Sequence, residues 1–380
     1  MPSLDEIQTV RYPPFESSRW NPERLPIAKR MLSKGQFETQ DEAMSHLINL
    51  APSFRLGTQE SWLIQREYWF DGQRLDHEGD EAFLEHEDFV DTVYRQRRGW
   101  YLVPNPVHTV LRQFINGVVI VLLAALFYLF ISPLLLFFDL PVYGLETVRW
   151  GLLDYPALAV FVVPLIFAPL FIRVLANLVE LRRQNRFLAT HPTRPELEIQ
   201  VDPVANKPLE IKLHLHNRPS TWNHVDVFWR VGVLPPAREA LLQVLEREAN
   251  RQPPPGLSTE LPHHWISGLD DGTAGGEDAP MELQEVKGGL YLRPMRIMAT
   301  GEQKRWTEGK TMTLACPEGE WPGSVHSDLV RIHWECILRI DRSKGGPLLW
   351  VEPLRVAHPP TRVVVESLPV FDGRSESDIS

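Results

Sequence analysis

The chain has 380 residues, more than one ordinary domain, and 39 basic against 49 acidic side chains give it a net charge of −10. That balance argues against a nucleic-acid partner, which needs clustered Lys and Arg to displace counterions from phosphates, and two cysteines are too few for a disulfide scaffold. Residues 114–138 are a run of 25 without Asp, Glu, Lys, Arg or His and residues 155–172 a second run of 18, so the sequence reads as a membrane protein rather than a purely soluble one.

Residues 1–110 read as a small, mainly helical cytoplasmic unit with a short β-ribbon. Residues 1–40 hold Pro13, Pro14, Glu16, Pro22, Glu23 and Pro26 where a secretory signal needs an apolar stretch, so the first span is expected to act as the insertion signal. Asn21 before Pro22 marks a helix start, with the helix expected to run to Ser33 or Lys34. Thr39 and Glu42 form a capping box for a second helix from Gln40 to about Leu50. Residues 62–70 meet Asp71-Gly72, which predicts a two-stranded ribbon with residues 73–76. Residues 80–98 are expected to be helical, with Glu81, Glu85, Glu87 and Asp88 early and Arg95, Arg97 and Arg98 late, the polarity that suits the helix dipole.

Residues 111–180 are expected to form a transmembrane hairpin with spans about 114–138 and 153–176. At about 1.5 Å per residue the first span reaches roughly 37 Å, more than a hydrocarbon core of about 30 Å. Arg95, Arg97, Arg98 and Arg112 precede it and Arg173, Arg182, Arg183 and Arg186 follow the second, against Arg149 alone in the turn. This bias places both termini in the cytoplasm of an inner membrane, with Tyr143, Trp150 and Tyr155 as anchors on the far side. Arg95, Arg97, Arg98, Arg182, Arg183 and Arg186 are the candidate lipid-interface residues, drawn to anionic headgroups. No charge sits at mid-membrane, which favours an anchor over a conducting pore, although Pro164 and Pro169 should kink the second span.

Beyond the second span the hydrophobic period changes to two. Residues 190–358 are expected to form an antiparallel β-sandwich with an inserted helix over 237–250, a mobile loop over 267–280 and a disordered tail over 359–380. Strands are predicted over 196–201, 209–216, 225–233, 281–286, 290–298, 305–307, 311–316, 330–340 and 348–357. In the second-last, Ile332, Trp334, Cys336 and Leu338 share one face while Arg331, His333, Glu335 and Arg339 share the other. The fold class is thus membrane α+β: a two-helix transmembrane hairpin between a small mainly helical unit and a C-terminal sandwich.

The pattern Ile332-x-Trp334-Glu335-x-x-Leu338-x-Ile340, followed by Val351-Glu352-Pro353-Leu354-x-Val356 after two spans and the basic exit Arg182-Arg183, resembles a group of uncharacterised two-pass bacterial membrane proteins. The likeness covers roughly residues 150–358. It implies architecture and assigns no chemistry, and it does not extend to residues 1–110.

Phosphate-binding loops, the G-x-S-x-G elbow, H-E-x-x-H and C-x-x-C are all lacking from the sequence. The candidate metal ligands are His214 and His216, two apart on one strand, with His224 and Asp226 opening the next. The bland alternative is that these histidines are the solvent face of an amphipathic strand. Cys316 and Cys336 fall on apolar faces and should be reduced core fillers. No cofactor is expected. The leading reading is a membrane-anchored, non-enzymatic interaction or scaffold protein, whose partners are the lipid bilayer and other membrane or cytoplasmic proteins. Two alternatives stay open: a subunit of a homo-oligomeric transporter or channel, and a metal-dependent membrane-bound enzyme centred on the four ligands. Because the flanks of the hairpin emerge together, residues 1–110 and 190–358 are expected to touch, with Glu85, Glu87, Asp88 and Asp91 facing Arg182, Arg183 and Arg186.

Overall fold

A computed structural model describes residues 1–12, 21–76, 93–94, 97–103, 106–144, 146–190, 192–248 and 295–368. Before the hairpin come β1 (Ser3–Arg11), β2 (Ala28–Gln36), α1 (Gln40–Leu47), β3 (Phe54–Gly57), β4 (Leu63–Phe70), β5 (Gln73–Leu75) and β6 (Gly99–Leu102). Two long helices, α2 (Pro106–Phe137) and α3 (Ala157–Ala189), enclose β7 (Thr147–Trp150) and β8 (Leu153–Pro156). The chain continues through β9 (Glu196–Ile199), β10 (Leu209–His214), β11 (Trp222–Val233), α4 (Arg238–Val244), β12 (Arg296–Thr300), β13 (Lys304–Arg305) and β14 (Thr311–Leu314). It ends with β15 (Val325–His326), β16 (Arg331–Arg342), β17 (Leu348–Leu354) and β18 (Val363–Val365).

The described residues up to Val103 and those from 192 onward belong to one compact unit, while Pro104–Thr190 belongs to a second. Among the described residues of the first unit, β18, β3, β4, β1 and β2 lie side by side, with β5 also on β4. A second sheet has the order β12, β11, β16, β17 and β6, with β13 on β11 and β15 on β16. A third joins β14, β10 and β9. Both large sheets mix segments from the two sides of the hairpin: β6 pairs antiparallel with β17, and β18 pairs parallel with β3. The expected contact between the flanks is therefore made by shared sheets. Its proposed acidic residues, Glu85, Glu87, Asp88 and Asp91, lie outside the described residues.

The N-terminal residues are the main correction. The predicted helix after Asn21 is one turn, Pro22–Arg24, whose cap Asn21 accepts from the Glu23 amide at 3.1 Å. Pro26 stops it, because proline offers no N–H and disfavours helix at the residue before it. Residues 28–36 instead pair with β1, and this tertiary pairing outweighs local helix propensity. Half of the capping box is present: Thr39 Oγ1 accepts from the Glu42 amide, while the Glu42 carboxylate accepts from the Glu38 amide at 3.1 Å, one residue before the cap. The 62–76 hairpin is part of the six-stranded sheet rather than an isolated ribbon.

Further along, α4 stops at Val244, short of the expected 250. Strands β13 and β14 do not pair as a hairpin; β13 joins β11 and β14 joins β10, so the turn between them passes from one sheet to another. The tail is ordered through β18, where Arg362 also bonds Asp76 at 3.0 Å. Residues 80–92, 95 and 96 of the predicted helix, the loop over 267–280, the strands predicted from 281 to 294 and the tail from 369 onward lie outside the described residues.

In the second unit α2 and α3 contain stretches, Gln113–Phe137 and Val162–Ala189, long and apolar enough to cross a membrane. Pro133, Pro164 and Pro169 lie within continuous helix. The chain is thus a mixed α/β protein with two large antiparallel-rich sheets and two long apolar helices.

Candidate functional site

Strand β16 positions the site. Side chains alternate on a strand, so His333, Glu335 and Ile337 share one face and Trp334, Cys336 and Leu338 the other. The second face is core: Trp334 packs against Trp229 with centroids 4.9 Å apart and the rings tilted by 36°, and each indole N–H is satisfied by a carbonyl, of Pro322 and Ala315 respectively. On the first face, register sets Arg230 of β11 directly opposite Glu335 and Phe228 opposite Ile337. Phe228 and Ile337 pack with Tyr101, Val103, Leu349 and Val351, so the polar groups adjoin an apolar patch.

Glu335 is 0% exposed. Arg97 grips it with two bonds, Nε to Oε2 at 3.0 Å and Nη2 to Oε1 at 3.1 Å, and Arg230 donates from Nε and Nη2 to Oε1 at 2.8 and 2.6 Å. Forked guanidinium donation of this kind suits a desolvated carboxylate. Burial alone would push the Glu335 carboxyl up, but the guanidiniums of Arg97 and Arg230 hold it well below the usual carboxylate range. His333 Nε2 stands 3.3 Å from Glu335 Oε2, close to the carboxylate but not aimed as a good hydrogen bond. Its Nδ1 lies 3.2 Å from His326 Nε2, and the Tyr94 ring meets both imidazoles edge-on. With Nε2 facing a carboxylate, the proton belongs there, leaving Nδ1 to accept from His326. Burial lowers the His333 pKa, Glu335 partly opposing, so the imidazole is neutral. The network joins Tyr94 and Arg97 to β16, and Arg97, Arg230, His326, His333 and Glu335 are all buried.

An open cleft of about 560 Å³ lies in the same unit, lined by Arg194, Glu196, Leu197, Glu198, His214 and Glu352. Glu352 Oε1 accepts from Arg98 Nη2 at 2.7 Å and faces Arg194 Nη2 at 3.9 Å, and its Oε2 accepts from Trp350 Nε1 at 3.2 Å. Burial pushes the Glu352 carboxyl up, with Arg98 and Arg194 opposing. One carboxylate therefore gathers an arginine from just before α2 and another from just after α3. Trp100 packs edge-on between Trp350 and Trp222, at 5.3 and 5.7 Å.

The sequence-derived candidates are dispersed. His214 ends β10, in the three-stranded sheet, and His216 Nε2 beyond it meets Glu196 at 3.1 Å. His224 and Asp226 lie on β11 in the seven-stranded sheet, 3.4 Å from each other, with Asp226 held by Arg305 at 2.7 Å. Among the described residues no three His, Cys, Asp or Glu side chains are placed to hold one metal ion. Of the lipid-interface candidates, Arg97 is buried on Glu335 and half-exposed Arg98 is bonded to Glu352. Arg183 pairs with Glu180 within α3, Arg182 and Arg186 are exposed, and Arg95 lies outside the described residues. Cys316 and Cys336 are both free thiols, and burial pushes the Cys336 thiol up, making it a poor nucleophile.

Sequence reasoning put His333 and Glu335 on a polar strand face and did not recognise their burial. The available signal was Arg230, a lone cation within an otherwise apolar stretch of β11. No protein-family model matches the chain, and no curated protein matches it either.

Proposed function

We propose that the chain is a membrane-anchored, non-enzymatic interaction protein, in which α2 and α3 cross a bilayer and the two flanks together form one cytoplasmic body that meets partner proteins. The observation that carries this reading is the exposed apolar surface of the helices, with Phe130 at 82% and Phe137 at 79% exposure. Such continuous apolar surface is costly in water and natural in lipid. Because segments before and after the hairpin share sheets, both must lie on one side of any bilayer the helices cross, which supports a topology with both termini together. The arginine bias selects the cytoplasmic side of an inner membrane. The reading agrees with the resemblance of the Ile332–Ile340 and Val351–Val356 patterns to two-pass bacterial membrane proteins. Its sandwich is supported by Trp306 Nε1 bonding Leu213 O and Trp229 Nε1 bonding Ala315 O, both between the three- and seven-stranded sheets or their flanking turns.

The test is alkaline extraction of membranes, followed by protease protection of tags at both ends and cross-linked purification from mild detergent. The expected results are retention in the pellet, both tags cut from the same side, and reproducible co-purifying proteins. Release into the supernatant, or tags on opposite sides, overturns the anchor; isolation as a lone monomer across several detergents overturns the interaction role.

A further inference from the structure

The ribbon between the two long helices is amphipathic in a way that its sequence spacing did not disclose. Val148 pairs with Tyr155 and Arg149 with Asp154, closed by Trp150 against Leu153. Alternation therefore sets Val148, Leu153 and Tyr155 on one face and Thr147, Arg149 and Asp154 on the other. The turn is Gly151-Leu152, with Gly151 at φ 69°, a region that favours glycine. Its tip presents Leu152 at 94% exposure, and Leu153 follows at 61%.

The residues flanking the ribbon are tied to the helices. Pro156 passes directly into α3, the Ala157 and Leu158 amides donate to Glu146 O at 2.7 Å and Gly144 O at 3.0 Å, and Tyr128 of α2 bonds both backbone groups of Tyr143. Between the end of α2 and the ribbon, Phe137, Phe138, Leu140 and Tyr143 are further exposed apolar side chains. The apolar stretch of α2 has 25 residues, or about 37 Å at 1.5 Å each, which exceeds a core of about 30 Å and carries its end into the headgroup region. Arg149 and Asp154 cancel in charge, so the ribbon offers no electrostatic patch for a charged protein partner.

We propose that β7–β8 lies in the lipid–water interface of the far leaflet, with Leu152, Leu153, Val148 and Tyr155 among the acyl–headgroup boundary and Thr147, Arg149 and Asp154 toward water. Its partner is a phospholipid surface of no required charge, and it acts as a second anchor that fixes the depth and rotation of the hairpin. The inference rests on the reading of α2 and α3 as spans.

The full chain carrying Cys316→Ser and Leu152→Cys, labelled with an environment-sensitive fluorophore, is reconstituted in phosphatidylcholine vesicles containing lipids spin-labelled either near the headgroup or deep in the acyl chain. Phe130→Cys serves as the span control, Met31→Cys as the water control, and Val148→Cys as a second ribbon site should the Leu152 variant fold poorly. The ribbon label should lose more emission to the shallow quencher than to the deep one, and should resist aqueous iodide relative to Met31. A ribbon label quenched by iodide like Met31 while Phe130 is quenched by lipid overturns the proposal and leaves the spans intact. Shielding from both iodide and lipid quenchers overturns it in favour of a second copy or another protein. A Phe130 label that no lipid quenches overturns the membrane reading itself.

Discussion

Strands β10 and β16 both alternate apolar with polar residues. In β10, Leu209, Ile211 and Leu213 are buried while Glu210, Lys212 and His214 keep contact with water. In β16, Ile332, Trp334 and Cys336 are buried, yet so are His333 and Glu335. The difference lies in what covers the polar face. β10 keeps its polar face open, whereas β16 sits between β11 and β17 with Arg97, Tyr94 and Arg230 gathered over it. Alternation reports which residues share a face, and only the rest of the chain decides whether that face is wet.

Substitutions on the two strands should separate sharply. Glu335→Ala leaves two guanidiniums buried without their shared carboxylate, and should cost about 3–5 kcal/mol in denaturant unfolding of the full chain in nanodiscs. Lys212→Ala, the counterpart on β10, should change stability by less than about 0.5 kcal/mol in the same assay. A small effect at Glu335 would show that the network contributes little.

Acid should act on β16 before β10. The fold keeps His333 neutral because burial lowers its pKa, whereas the unfolded chain takes up a proton at about pH 6.5. This contribution to stability is complete above that value and is lost as pH falls below it, at no more than about 1.4 kcal/mol per pH unit. Melting midpoints should thus drop between about pH 6.5 and 5, before ordinary carboxylates titrate, and His333→Gln should flatten that slope. Glu335 has a depressed folded pKa, so its contribution is retained through this window and lost only at lower pH.

Glu352→Gln removes the 2.7 Å ion pair with half-exposed Arg98 and should cost about 1 kcal/mol in unfolding, less than Glu335 because water can re-solvate the arginine. His216→Ala breaks an exposed pair with Glu196, and a change within about 0.5 kcal/mol is expected from the same measurement.

The two apolar helices, the Thr39 cap, the Asp71-Gly72 hairpin and the long strands β11, β16 and β17 were legible because each is written in a local period or a local cap. The six-stranded sheet was not. Residues 28–36 are exposed at Lys29, Met31 and Ser33 and become a strand only by pairing with β1, a partner in no way marked by adjacency. The network was equally hidden, since Arg97 reads as a basic flank of a span until its partner, Glu335, is found on a distant strand. Residues of opposite charge in sequence carry no record of which pairs will be desolvated together.

The interleaving of the two flanks bears on how the protein is made. Ser327 bonds Gln8 across 319 positions, and β3 waits for β18 before its outer edge is covered. A chain emerging from the ribosome therefore exposes β1–β5 with an open sheet edge while both apolar helices are still being synthesised. Such long-range closure is slow and leaves strand edges prone to mispairing. The opening strands must be kept apart from other nascent chains until β18 arrives, and a truncation that removes β18 leaves the first sheet unfinished even though every residue of its N-terminal strands is present.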